Sequence, residues 1–233
     1  MLYALVTGTS GGLGSKIVLS LLQNGVIVFG VYNNTEIDAD ILNHINFMPI
    51  KADLESRSEI ANMIQTLISK TKKLDYLVNC AGITLDRLLI KCTEEEWDKV
   101  MAINLSACFY IIKEALPLLR GSDYAHILNI SSISGIKGNA GQAAYSASKA
   151  ALIGMTLSMA IEFSILGVRV NVVLPGYLPT KMGKSNPKAM TLAQQNSLLS
   201  KLSLPSDIGD YVVSILKMRN ITGQVFNLDS RII

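Results

Sequence analysis

Tyr3-Ala-Leu-Val-Thr7-Gly8-Thr-Ser10-Gly11-Gly12-Leu13-Gly14 runs from a short apolar strand directly into a glycine-rich turn, and the residues after it read as a helix ending near Asn24-Gly25. A strand that feeds a helix through such a turn is the opening half of a βαβ unit. The rest of the chain repeats the alternation. Val26–Tyr32, Phe47–Asp53, Leu74–Val78, Ile127–Ile130, Val168–Leu174 and Ile221–Leu228 are mainly apolar runs of strand length. Among the helical stretches, Arg57–Lys70 carries Ile60, Ile64, Leu67 and Ile68 on one face. Thr93-Glu-Glu-Glu96 has the form of a capping box, and the helix it starts continues to about Pro117. Ala147–Ile165 and Ser206–Met218 are the remaining long helices. The pattern predicts one α/β domain over residues 1–233, a doubly wound parallel sheet of about seven strands with helices on both faces.

Composition narrows the class. Hydrophobic residues make up 49% of the chain and charged residues 17%, which suits a compact protein with a large interior. No apolar run reaches the length of a membrane span, and Met1–Thr7 is too short for the apolar region of a signal peptide. Cys80, Cys92 and Cys108 are odd in number without paired spacing, and they read as reduced thiols of a cytoplasmic protein. His44 and His126 are too few and too scattered to suggest a metal site. A net charge of +3 does not by itself imply nucleic acid.

The glycine turn has a specific use. Its glycines let backbone amides approach a pyrophosphate, and the helix that follows adds a favourable field for an anion. Ligands of such sheets lie beyond the carboxyl ends of the strands. Ser132 falls there, after the apolar run Ile127–Ile130. Tyr145 and Lys149 are four residues apart and share one helical face. A phenol is a poor acid or base at neutral pH, but a nearby ammonium favours the phenolate. The pair can therefore move a proton to or from a carbonyl oxygen, with Ser132 holding that oxygen by a hydrogen bond.

Thr7, Gly8, Gly12 and Gly14, with Ser132, Tyr145 and Lys149 behind them, resemble the classical short-chain dehydrogenases/reductases over nearly the whole chain. Within that family the likeness is greatest to the 3-oxoacyl-(acyl-carrier-protein) reductases. The resemblance implies a Rossmann-like fold and an NAD(P)-dependent reduction of a ketone, reversible as alcohol oxidation. It makes Ser132, Tyr145 and Lys149 catalytic, with the family's thirteen-residue gap from serine to tyrosine. Asn104, 41 residues before the tyrosine, takes the place of a fourth catalytic residue that holds a water relaying protons to the lysine. It also implies cofactor contacts from Gly8, Ser10, Gly11, Gly12, Leu13 and Gly14, from the Asp53-Leu54 pair, and from Asn79, Ala81 and Gly82. Pro175-Gly176 and Thr180 face the nicotinamide in the same way, and Tyr145 and Lys149 touch cofactor as well as substrate. Cys80 stands where the family usually has asparagine, and Asp229 lacks the glycine pair that normally follows it.

The end of the second strand bears on cofactor choice. An acidic residue there binds the ribose hydroxyls of NAD, whereas NADP needs room and positive charge for its 2′-phosphate. Tyr32, Asn33 and Asn34 include no carboxylate, which favours NADP(H) over NAD(H). Gly11 stands where relatives preferring NADP often have arginine. Residues 181–204 read as a lid over the substrate. No acidic residue lies between Glu162 and Asp207, while Arg169, Lys181, Lys184, Lys188 and Lys201 do. That rim suits an acyl carrier protein or the phosphates of a phosphopantetheine thioester. Ala147, Ala150, Ala151 and Gly154 permit close helix packing, and the resemblance places a homo-oligomer interface there, most often of a tetramer. The same core serves sugars, steroids, polyketides and simple alcohols in other members, and a dinucleotide-binding protein without chemistry is the other class to weigh.

Overall fold

A computed structural model describes residues 1–231. In chain order the elements are β1 (Tyr3–Thr7), α1 (Gly14–Gln23), β2 (Ile27–Tyr32), α2 (Ala39–Leu42), β3 (Phe47–Lys51) and α3 (Arg57–Lys70). Next come β4 (Tyr76–Asn79), α4 (Glu94–Met101), α5 (Ala107–Leu119), β5 (His126–Ile130), α6 (Ser134–Lys137) and α7 (Ala143–Ser164). The chain ends with β6 (Arg169–Leu174), α8 (Lys181–Lys184), α9 (Pro187–Gln195), α10 (Pro205–Lys217) and β7 (Val225–Asn227). The strands form one seven-stranded sheet in the order β3-β2-β1-β4-β5-β6-β7, every pair parallel. The chain reverses its winding between β1 and β4, so their carboxyl ends border the crevice where such sheets bind ligands.

Two apolar layers sandwich the sheet. On one face Ile60, Ile64 and Leu67 of α3 and Ile111, Ala115 and Leu119 of α5 pack on Leu5, Leu77 and Ile127. On the other, Ile17 and Leu21 of α1 and Ile208, Val212 and Leu216 of α10 cover Val6, Val78 and Leu128. Consecutive strand residues thus feed opposite layers, as the two-residue period of a strand requires. Each such side chain contributes about 1.5–3 kcal/mol when fully buried, and truncating one to alanine costs about 2–5 kcal/mol. The stretch Glu94–Leu119 is long and apolar enough by composition to cross a membrane, but its apolar side chains Val100, Ile111, Ile112 and Leu119 are buried in the fold.

Several expected boundaries move for local reasons. The run beginning at Thr93 is two helices around a π-turn at Ala102–Ser106, although the capping box of Thr93 and Glu96 forms as expected. The last strand is only Val225–Asn227, because side chains take over pairing ahead of it. Thr222 Oγ1 accepts from Val170 N at 3.0 Å, and Asn171 Oδ1 accepts from Gln224 N at 2.8 Å. Ser56 caps α3, with its Oγ accepting from Glu59 N. Residues 181–204 hold two short helices, α8 and α9, where the sequence shows little periodicity.

Candidate active site

Thr7 joins the carboxyl ends of β1 and β4. Its Oγ1 accepts from the backbone N–H groups of Cys80 and Ala81, both at 3.0 Å. Gly8 then turns away with φ of +72°, and a Cβ there would stand 2.8 Å from the Cα of Ala81. Both backbone conformation and space therefore exclude a side chain. Gly11 N donates to Gly8 O at 2.9 Å, which folds Ser10 and Gly11 into a tight loop leading through Gly12 and Leu13 to Gly14. No side chain caps the start of α1, and no acidic residue lies in its first turn. A Cβ on Gly12 would stand 2.6 Å from Thr180 Cγ2. The turn after β6 thus closes on the glycine loop, bringing two groups of expected cofactor contacts together.

The other expected contacts lie along the same edge. Tyr32 ends β2 and Asn33 follows it, Asp53 and Leu54 follow β3, and Pro175 and Gly176 follow β6. Asp53 Oδ1 accepts from Glu55 N at 3.0 Å, while Glu59 reaches back to Asp53 N at 2.7 Å. Asn79 starts a buried polar chain. It donates to Asn129 at 2.8 Å, Asn129 donates to Thr156 at 2.9 Å, and Thr156 donates to Leu152 O at 2.7 Å. The turn after β4 is tied to α7 through the sheet.

Ser132 follows β5, and its Oγ accepts from Ser134 N at 3.1 Å. Tyr145 and Lys149 occupy the first turns of α7. Lys149 is 4% exposed. Its Nζ donates to Ile130 O at 2.8 Å and lies 5.8 Å from the centroid of the Tyr145 ring. A Cβ on Gly82 would be 3.4 Å from that Nζ and 3.3 Å from Asn104 Oδ1. Glycine thus leaves room where the lysine tip and Asn104 converge. The four expected catalytic residues stand on three segments around one corner of the sheet.

Asn104 turns its side chain inward, onto neighbouring segments of the protein. It is fully buried in the π-turn, where Oδ1 accepts from Ile83 N at 2.8 Å. Nδ2 donates to Ile83 O at 2.9 Å and to Ser148 Oγ at 3.1 Å. Both amide hydrogens are spent on pinning the segment after β4 to α7. The main-chain carbonyl, which meets the Cys108 thiol at 3.5 Å, is the remaining acceptor of this residue. Burial pushes the Cys80 thiol up to about 12 and the Cys108 thiol up to about 11 against the pull of Lys149, so both stay protonated.

The segment 181–204 and the tail meet at the Pro-Gly turn. Tyr177 donates its hydroxyl to Gly183 O at 2.7 Å, fixing α8 to that turn. Its phenol is pushed above its ordinary range, first by burial and then by Asp86, with Arg231 pulling the other way. Asp229 packs against Gly176, and Leu198 N donates to Ser230 O at 3.1 Å. The tail without the glycine pair therefore lies against the segment 181–204.

Sequence reading missed a polar network between the segment after β4 and the loop before α7. Gln142 Nε2 donates to both carboxylate oxygens of Asp86, at 3.1 and 3.2 Å. Arg87 N donates to Gly141 O at 2.8 Å. Asn139 donates to Gln142 Oε1 at 3.1 Å and to Ser134 Oγ at 2.8 Å. The only local signal was a pair of amides inside the stretch between Ser132 and Tyr145.

The arrangement offers a cradle for a dinucleotide beside groups that can move a proton. Comparisons with known proteins agree. Residues 2–191 match the family described as short chain dehydrogenase. The chain is 40% identical to a Rickettsia prowazekii protein named 3-oxoacyl-(acyl-carrier-protein) reductase FabG, with 97% of this chain and 94% of that protein covered. A protein of the same name from Thermotoga maritima is 32% identical, with 98% and 96% covered. A solved structure described as the Pseudomonas aeruginosa RhlG/NADP active-site complex superposes with a TM-score of 0.90 at 31% identity, over 98% of this chain and 95% of that one. The chain belongs to the short-chain dehydrogenase family and is an NAD(P)-dependent oxidoreductase acting on CH–OH and keto groups.

Proposed function

We propose that this protein is a cytoplasmic, NADPH-dependent reductase of 3-oxoacyl thioesters carried on acyl carrier protein or coenzyme A. The observation that carries the chemistry is the convergence of Ser132, Tyr145 and Lys149 beside the glycine cradle, with Lys149 Nζ 5.8 Å from the Tyr145 ring. The cradle fits a pyrophosphate: Gly8 and Gly12 lie where side chains would collide with Ala81 and Thr180, and the start of α1 is uncapped. Gly8 to Gly14, Asp53-Leu54, Asn79, Ala81, Gly82, Pro175-Gly176 and Thr180 would hold the dinucleotide, which when bound supplies the hydride. Ser132 Oγ hydrogen-bonds the carbonyl oxygen and fixes its position. Tyr145 gives that oxygen a proton. The Lys149 ammonium, anchored on Ile130 O, places a positive charge beside the ring that gives up this proton. Asn104 fixes the turn at Gly82 that makes room for the lysine.

NADP(H) is favoured over NAD(H) by the neutral end of β2. It is favoured also by Lys51, which stands opposite Tyr32 in the β2–β3 register and which the sequence reading left out. The thioester reading rests on the names of the relatives and on the acid-free rim, where Lys181, Lys184, Lys188 and Lys201 are exposed. Phe109 on α5 and Leu157 and Ile161 on α7 are large apolar side chains left exposed, which supports a homotetramer packed through these helices. Light scattering checks that state. The decisive experiment offers acetoacetyl thioesters, sugars and cyclic ketones to the purified protein with NADPH and NADH side by side. Consumption of NADPH by the thioester above all others supports the reading. Turnover confined to a sugar or a cyclic ketone moves the substrate elsewhere, and no turnover at all points to binding without chemistry.

A further inference from the structure

We infer that Asp86 is a positioning residue for the reaction, acting through Gln142 to set Ser132 and Tyr145 relative to each other; this rests on the reductase reading above. Gln142 immediately precedes α7, and its carbonyl accepts from Ser146 N at 2.8 Å, so it fixes where the turn carrying Tyr145 begins. Its side chain does not cap the helix. Instead Oε1 accepts from Ser134 Oγ at 3.2 Å and from Asn139 at 3.1 Å, and Ser134 in turn donates its backbone N–H to Ser132 Oγ. One amide side chain therefore joins the start of the tyrosine helix to the loop that carries the serine.

What orients that amide is Asp86. Both hydrogen bonds from Nε2 end on its carboxylate, which also accepts from the Thr84 hydroxyl. Two charge-assisted bonds fix which way round the amide lies, with nitrogen toward Asp86 and oxygen toward Ser134. The segment carrying Asp86 is itself held in place. Arg87 N bonds to Gly141 O, and Arg87 Nε pairs with Glu96 of α4 at 3.3 Å. The loop turns at Gly138 and Gly141, with φ of +69° and +80°, a backbone region that glycine enters without strain. Reacting groups that must meet within a few tenths of an ångström lose rate when such a restraint goes, by about a hundredfold for each ångström of misplacement.

The test compares wild type with Asp86→Ala, Asp86→Asn and Gln142→Ala. Asp86→Ala should lower kcat about ten- to hundredfold while leaving the NADPH dissociation constant within about twofold. The primary isotope effect with 4-deuterated NADPH should rise, because hydride transfer becomes rate-limiting. Asp86→Asn keeps one acceptor and should fall between. The Asp86→Ala/Gln142→Ala double variant should be no slower than the worse single one, because both act on one path. Hydrogen exchange provides an arm independent of turnover. Amides of residues 132–146 should exchange at least about tenfold faster in Asp86→Ala, with those of α3 unchanged. A wild type inactive on every ketone defeats the reductase reading, and the exchange arm then decides the clamp alone. Unchanged exchange, exchange raised throughout the chain, or a fall in kcat with an unaltered isotope effect would each overturn it.

Discussion

At the amino ends of the strands, Asp75, His126, Arg169 and Asn171 are buried; at the carboxyl ends, Asn79, Asn104 and Lys149 are buried just as deeply. The difference lies in what their partners leave over. Asp75 accepts from Tyr3 N at 2.7 Å, from Lys73 Nζ at 3.0 Å and from the Ser122 hydroxyl. His126 uses both ring nitrogens, on Leu216 O at 3.2 Å and on the Asn171 amide at 2.7 Å. Arg169 donates to Ala125 O and Met218 O, with only Nη2 lacking an acceptor. These bonds join α10 and the segment before β7 to the sheet, and they form a lock. At the opposite end Ser132 Oγ takes a single bond, and the Tyr145 hydroxyl has no hydrogen-bond partner among the described residues. Burial of polar groups does not tell a lock from a reaction centre. Unspent atoms beside a glycine-lined crevice do.

The sharpest way to break the comparison is to remove one hydroxyl. Tyr145→Phe keeps the ring and should lower kcat by about 10²–10⁴-fold, the usual contribution of a positioned general acid, while cofactor titration stays near normal. His126→Gln at the other end should cost stability and leave the turnover of the folded enzyme within about twofold. Near-normal turnover of the tyrosine variant would remove the carboxyl-end site from the chemistry.

The lock has its own signature, in pH. Burial first, and the charge of Arg169 second, lower the pKa of His126 from 6.5 to about 4. The unfolded chain therefore binds a proton on this group at a higher pH than the folded one does. The stability His126 contributes is present above about 6.5 and is lost as pH falls toward 4, by about 3 kcal/mol in all. Urea unfolding at a series of pH values should show this slope in wild type, and His126→Gln, though weaker at neutral pH, should show less of it. Equal slopes would mean that His126 titrates alike in both states.

How much of each end was legible follows from sequence distance. The glycine turn and the Tyr145–Lys149 pair are local patterns, a few residues long, set by backbone geometry that the residues themselves announce. Ser132 could be placed because an apolar strand ended just before it. The bond from Asp86 to Gln142 spans 56 residues and lies outside any periodicity, so no reading of either residue alone reaches it. Asn104 shows the same limit. Its place in the site was visible, but the spending of its amide on Ile83 and Ser148 depends on a π-turn that the sequence did not disclose. The last strand was overread because Thr222 and Asn171 substitute side chains for ladder bonds.

Between the extremes sits cofactor choice. Lys51 is the register neighbour of Tyr32 and offers a cation beside a strand end that holds no carboxylate. Lys51→Glu should weaken NADPH on the order of tenfold and leave NADH nearly unchanged, because only the former carries the 2′-phosphate. Fluorescence titration with both cofactors checks it. A preference for NADH in the wild type would show that the neutral end of β2 is insufficient.

The smallest effect concerns the segment 181–204, which follows the Pro-Gly turn after β6. Lys181 and Lys184 are exposed on α8, which Tyr177 ties to the Pro-Gly turn, and Lys188 follows on α9. Exposed charges of this kind contribute modest amounts individually and act mainly on encounter with a charged partner. Reversing two of them, Lys181→Glu with Lys184→Glu, should therefore raise KM for a carrier-linked 3-oxoacyl substrate by a few-fold, roughly three- to tenfold at low salt. KM for a small uncharged ketone should stay put, and kcat should change little for either, since uniform binding alone is removed. Raising ionic strength should narrow the gap, because the Debye length falls to about 8 Å at physiological salt. Should the double variant treat both substrates as the wild type does, the lysines are merely solvated. The carrier reading would then lose its support in the structure and rest on the names of the relatives alone.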